Sequence, residues 1–130
     1  MIINVSNHPT DKWSSEQLQA ARDLSGCGVV IDIPHPSVPA GANEQEVARL
    51  AWQVFDQIVA AQRRHQGGAC DSCIVHLMGE QGFVDYLNQI LRLRDVRTIY
   101  STTSRAVVEQ EDGTKVSRFR FVRFREYLSI

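Results

Sequence analysis

Cys73-Ile74-Val75-His76-Leu77-Met78-Gly79-Glu80-Gln81-Gly82-Phe83 is the stretch that decides the fold. Residues 73–78 form a nearly unbroken apolar run, the signature of a strand buried on both faces. It ends in a small, polar cluster, after which Phe83, Leu87, Ile90 and Leu91 recur at helical spacing. Strand, glycine-bearing turn and helix make half of a βαβ unit. The same grammar stands on either side of it. Ile2-Ile3-Asn4-Val5 runs into Ser6-Asn7-His8-Pro9, and Thr98-Ile99-Tyr100 runs into Ser101-Thr102-Thr103-Ser104-Arg105. Open α/β sheets bind ligands outside the carboxyl ends of their strands. If the three strands are parallel neighbours, their clusters meet on one edge, which is then the expected site.

The remaining elements follow from caps and periodicity. Residues 2–7 read as the first strand. Ser14 can cap a helix, with Gln17 as its capping-box partner and Trp13 and Leu18 placed as a hydrophobic staple. Leu18, Ala21 and Leu24 give that helix its inward stripe, and Gly26 and Gly28 end it. Val29-Val30-Ile31-Asp32-Ile33 reads as a strand broken by Pro34-His35-Pro36, a candidate wall of the site. Asn43 caps a long helix whose apolar positions run from Val47 to Val59, with Arg63 and Arg64 near its C-terminus and Gly67-Gly68 at its exit. A strand over residues 97–101 precedes a hairpin. One side is Ala106-Val107-Val108-Glu109, the turn is Asp112-Gly113, and residues 115–127 return. In Arg118-Phe119-Arg120-Phe121-Val122-Arg123-Phe124-Arg125 the aromatics shift from odd to even positions at Val122. That slip exchanges faces, so a β-bulge is expected there. The order βαβαβαβ plus hairpin predicts one α/β domain: three layers, Rossmann-like, with a mostly parallel sheet and a C-terminal β-hairpin.

Length and composition set the frame. With 130 residues, 43% hydrophobic and 22% charged, the chain suits one domain with an ordinary core. No run of about 20 apolar residues argues for a membrane span, and no signal peptide is visible, so a cytoplasmic protein is expected. Net charge is −1. Residues 1–96 carry seven Lys/Arg against eleven Asp/Glu, and residues 97–130 carry seven against four. A basic tail on an acidic body fits a local anion site or a self-complementary contact better than a DNA track. It also fits a solvated face. The Cys70-Asp71-Ser72-Cys73 spacing precedes a strand, whereas redox motifs place the first Cys at a helix N-terminus. His65, Cys27, Cys70 and Cys73 make a zinc set only on paper, since no second CxxC or HxxxH supports it. Reduced thiols, with no metal and no cofactor, are the expectation.

Several residues can carry chemistry. Gly79, Glu80, Gln81 and Gly82 allow a ligand close to the backbone beside a helix N-terminus. They match neither GxGxxG nor a P-loop, and an ordinary tight turn explains them as well. Ser101, Thr102, Thr103, Ser104 and Arg105 offer hydroxyls and a planar guanidinium fork for phosphate and ribose. A polar connection into the hairpin is the alternative. His8 can shuttle protons or contact phosphate, or pack on Trp13. His76, inside a strand, reads as a satisfied core histidine, and His35 between two prolines stays unassigned.

Taken together, the element order and the three clusters resemble the small stand-alone CRISPR-associated Rossmann-fold (CARF) proteins of the ring-nuclease type. The residues that carry the resemblance are Ser6-Asn7-His8, Gly79-Glu80-Gln81-Gly82-Phe83 and Ser101-Thr102-Thr103-Ser104-Arg105. The resemblance implies a homodimer around a cyclic oligoadenylate, a second messenger of type III CRISPR antiviral defence. It implies ring cleavage without metal, a ribose 2′-hydroxyl attacking its neighbouring phosphate. On that basis Arg105 stabilises charge, His8 transfers a proton, and Ser6, Asn7, Gly79, Glu80, Gln81, Gly82, Ser101, Thr102, Thr103 and Ser104 bind the ligand. Two other readings stand beside it. One is a non-catalytic nucleotide-binding accessory module, the other a nucleoside or nucleotide hydrolase using Glu80.

Overall fold

The computed structural model describes residues 1–65 and 72–130. The strands are β1 (Ile2–Val5), β2 (Val30–Asp32), β3 (Ile74–Leu77), β4 (Arg97–Glu109) and β5 (Lys115–Glu126). The helices are α1 (Ser15–Ser25), α2 (Glu44–Arg64) and α3 (Gln81–Leu93), with a single 3-10 turn at Thr10–Lys12 before α1. One sheet has the order β2-β1-β3-β4-β5. The first four strands are parallel and β5 returns antiparallel along β4. The three strands with polar ends, β1, β3 and β4, are therefore neighbours, as expected from their apolar runs. The expected exit at Gly67-Gly68 and the first half of the CxxC, Cys70 with Asp71, lie outside the described residues.

Short strands alternate their side chains between two helical layers. Ile3, Val5, Val75 and Leu77 pack with Val54, Phe55 and Ile58 of α2 and Phe83, Leu87 and Leu91 of α3. Ile2, Ile74 and Ile99 point the other way, to Trp13, Ala21 and Leu18 of the α1 layer. Each fully buried Ile or Leu among these contributes roughly 1.5–3 kcal/mol of transfer free energy. The result is a Rossmann-like α/β/α sandwich. The caps read from sequence are present: Ser14 Oγ accepts from Gln17 N at 3.1 Å, and Asn43 Oδ1 accepts from Glu46 N at 2.9 Å. Gly26, at φ +75°, closes α1 where an L side chain would be strained.

Two expectations need correction. The Ser101–Arg105 cluster is not a connection after a short strand. β4 runs unbroken through it, because the β-branched pair Thr102-Thr103 suits extended backbone and β5 supplies a ladder. Cys27 is disulfide-bonded, which overturns the expectation of three reduced thiols. Cys73 is a free thiol, its pKa pushed up by burial. The bulge is where the aromatic slip put it. Thr102 pairs with Arg123 and Thr103 with Phe121, leaving Val122 as the extra residue. Among the described residues, no helix is long and apolar enough to cross a membrane.

Candidate functional site

Helix α1 covers one face of the sheet, and α2 and α3 cover the other. Strand order reverses between β1 and β3, where an open α/β sheet leaves a crevice at its carboxyl ends. On the α1 face of this crevice lies a row of polar residues. Asp32, Asn4 and His76 occupy one register line across β2, β1 and β3, and Ser101 of β4, two residues beyond Ile99, the partner of His76, meets it diagonally. Asn4 and His76 are each only 1% exposed, so their polar atoms must find partners inside the protein.

They do, and the partners fix the orientation of the Asn4 amide and the tautomer of His76. Asn4 Nδ2 donates to Asp32 Oδ1 at 2.9 Å and to the His8 carbonyl at 2.9 Å. Both partners only accept, so Asn4 Oδ1 must face the other way. There it accepts from Ser6 Oγ at 2.8 Å and lies 2.9 Å from His76 Nδ1. His76 Nδ1 therefore carries the proton and Nε2 is bare. Nε2 lies 2.5 Å from Ser101 Oγ, which must donate to it. Burial, with a smaller contribution from the charge of His8, pulls the His76 pKa down to about 4, so the ring is neutral at ordinary pH. The far end is held as well: Thr10 Oγ1 donates to Asp32 Oδ2 at 2.7 Å. The His8 carbonyl also accepts from Trp13 Nε1 at 3.0 Å, and the indole and the His76 ring meet in a T-shaped contact with centroids 5.1 Å apart.

Ser101 opens onto a cleft of about 480 Å³ between the α1 layer and the hairpin. Its polar lining includes His8, Lys12, Gln17 and Thr103, and its aromatic lining is Trp13, Phe119 and Phe121. Gln17 Nε2 leaves the expected capping box and donates to Ser101 Oγ at 3.4 Å. The bulge at Val122 has a purpose here. Phe119, Phe121 and Phe124 pair with Arg105, Thr103 and Ser101, all odd positions of β4. Arg118, Arg120, Arg123 and Arg125 pair with Ala106, Ser104, Thr102 and Tyr100, all even. The extra residue thus keeps the phenylalanines in register with one face and the arginines with the other.

The clusters singled out in the sequence share the carboxyl edge but not one cavity, which corrects the single-site expectation. His8, Ser101 and Thr103 line the α1 cleft. Gly79, Glu80, Gln81 and Gly82 line a separate hollow of about 670 Å³ with Asn88, Tyr100 and Tyr127. Ser6 and Asn7 border a third, under the Pro34-His35-Pro36 loop. Thr102 and Ser104 pair outside the α1 cleft, and Thr102 Oγ1 donates to the Arg123 carbonyl at 3.2 Å. Arg105 spends its guanidinium on Ser117 Oγ, at 2.8 Å from Nη2. Glu80 is the N-cap of α3: its carboxylate accepts from Gly82 N at 3.0 Å and Phe83 N at 2.8 Å. Those N–H groups, Phe83's first, hold its pKa below the usual carboxylate range. The helix N-terminus expected to take a ligand anion thus already holds a carboxylate of its own, and Glu80 is a weak base. Gly79 is glycine because His35 lies on it, where a Cβ would overlap the imidazole. His35 in turn packs edge-on against Phe83 at 5.0 Å.

Sequence gives Asn4, Asp32 and Lys12 no functional role, makes Gln17 a capping residue, and assigns His76 to the core. One signal was present: Asn4 and His76 each interrupt an apolar strand at its third described residue. The sequence model of the uncharacterized protein MJ1673 family matches residues 1–125. The chain belongs to that family. In this MJ1673-family chain the matched region holds all four members of the polar row and the whole lining of the α1 cleft. No curated protein matches the chain.

Proposed function

We propose that the chain is a nucleotide-binding protein whose α1-side cleft takes part of a cyclic oligoadenylate and cleaves it without a metal. The observation that carries this reading is the cleft's lining. Trp13, Phe119 and Phe121 offer faces for a base to stack on. Lys12, His8 and Thr103 offer a cation and donors for phosphate and ribose. At about 480 Å³ the cleft lies in the range of small-ligand pockets, and a ring needs more room. Two copies related by a two-fold axis provide it.

The proposed dimer uses the hairpin arm beside the cleft, where Phe119 is 69% and Val107 59% exposed. Such apolar exposure on a two-stranded arm marks a contact surface. The cytoplasm, where such a messenger would be made, is the proposed place of action, in type III CRISPR antiviral defence. In this reading His8 transfers a proton, and Lys12 joins Arg105 as a source of positive charge. The alternative Glu80 hydrolase gains nothing from a carboxylate committed to capping α3.

Native mass spectrometry with a panel of cyclic oligoadenylates tests binding and stoichiometry together. Two chains per ring are expected. Chromatography of the same mixtures, with a chelator present, should show linear adenylates. Binding without products leaves the non-catalytic accessory module, and no binding to any ring removes the reading.

A further inference from the structure

We propose that His76 and Ser101, held in order by Asn4 and Asp32, form a proton relay, whose working end, Ser101 Oγ, takes the proton from a hydroxyl of the ligand in the α1 cleft. The assignment rests on the nucleotide reading above, where that hydroxyl is the ribose 2′. It begins from an ordering that the fold has no structural need for. A buried histidine is satisfied by any donor and acceptor. Here Asp32 and the His8 carbonyl orient Asn4, Asn4 sets the His76 tautomer, and His76 leaves its lone pair on Ser101. The chain of contacts at 2.9, 2.9 and 2.5 Å runs from the Asp32 carboxylate to the only member of the row that lines the cleft beside His76 itself.

The chemistry balances. The 2′-hydroxyl proton passes to Ser101 Oγ as Ser101's own proton passes to His76 Nε2. The 2′-oxygen forms its bond to phosphorus, and the bond from phosphorus to the 5′-oxygen breaks. That oxygen takes a proton from His8 or water, and the product carries a 2′,3′-cyclic phosphate and a free 5′-hydroxyl. His76, charged for the moment, is held by Asn4 Oδ1, and returns its proton to solvent through Ser101. Lys12, at the cleft wall, supplies positive charge for the charge that grows on the phosphoryl oxygens. Ser101 is the catalytic residue in this scheme, because it touches the reacting hydroxyl. Asn4 and Asp32 are positioning residues.

The test combines kinetics with a direct view of the ring. Single-turnover cleavage of cyclic tetra- and hexa-adenylate is measured for wild type, Ser101→Ala and Ser101→Thr, with affinity measured separately. Ser101→Ala should lose roughly 10²- to 10⁴-fold in rate while its affinity changes by less than about threefold. Ser101→Thr, which keeps the hydroxyl, should recover part of the rate. Nitrogen-15 NMR of wild type should show His76 protonated on Nδ1, and Asn4→Ala should release that preference. If wild type cleaves and Ser101→Ala cleaves equally well, the relay is overturned and the nucleotide reading survives. If wild type cleaves neither ring, the cleavage reading fails first and the catalytic role of Ser101 falls with it. A His76 protonated on Nε2 overturns the relay whichever way the kinetics fall.

Discussion

The two faces of the central sheet are built from the same short strands and do opposite work. Toward α2 and α3, Ile3, Val5, Val75 and Leu77 present only hydrocarbon, and stability comes from area removed from water. Toward α1 the same strands begin apolar, with Ile2 and Ile74, and turn polar one step along the face, at Asn4 and His76. The α1 face gives up hydrophobic burial at its carboxyl end for a hydrogen-bonded row with one permitted arrangement. A buried polar row of this kind is favourable only while complete. The contrast teaches where to look for chemistry: on the face whose polar residues are ordered beyond what packing requires.

The comparison breaks most visibly on the apolar face. Phe83→Ala should cost about 3–5 kcal/mol in urea unfolding, since the ring is fully buried and also seats His35. Nucleotide affinity at the α1 cleft should be unchanged under folded conditions. A cost below about 1 kcal/mol would mean the α3 face is not the main core.

Acid should break the polar face instead. His76 titrates near 6.5 when unfolded and at about 4 in the fold. The unfolded chain therefore binds the extra proton, and stability is lost as pH falls from about 6.5 to about 4. The full loss is about 3 kcal/mol. Urea midpoints measured across that range should show it, and His76→Gln should flatten this part of the profile. An identical profile in the variant would assign the acid loss to other groups.

The cation that serves the cleft sharpens the contrast further. Lys12→Ala should weaken nucleotide binding by one to two decades, about 1.5–3 kcal/mol. Arg105→Ala, whose guanidinium is engaged by Ser117, should weaken it less. Titration calorimetry decides, and the reverse ranking would move the phosphate site onto the hairpin arm. The smallest effect is expected at Val122. Val122→Ser should stay within about 0.5 kcal/mol, because its side chain is exposed. Deleting Val122 should instead collapse the β4–β5 register, since the bulge needs a residue there and not a particular side chain.

Much of the fold was legible because it is written locally. Apolar runs, the caps at Ser14 and Asn43, and the parity change at Val122 each involve residues a few positions apart. That strands 1, 3 and 4 lie side by side in the middle of the sheet was expected from their apolar runs and polar endings. The polar row was not legible in that way, because Asp32, Asn4, His76 and Ser101 meet only through strand register, which no short window contains. The hydroxyl-rich cluster after Ser101 reads as a break before the hairpin, although Thr102 and Thr103 are strand formers and carry the better signal. The capping role of Glu80 was not legible for a physical reason too: a carboxylate at a strand end reads as a reactive group or an exposed turn residue until the helix behind it is seen to need a cap.

Gly79 has a consequence for anyone comparing relatives of this chain. It is excluded from variation by the imidazole resting on its Cα, so a saturation screen should tolerate no other residue there. Such intolerance, beside a hollow and a helix start, has the outward marks of a ligand-contacting glycine. Its origin is twofold, the His35 imidazole of the Pro34-His35-Pro36 loop and a backbone at φ +153°, so shortening the residue at 35 should relieve the overlap and leave the backbone strain in place. A paired substitution at 35 and 79 should therefore recover only part of what the glycine change alone costs, and that remainder measures the backbone's share of the lock between the two loops.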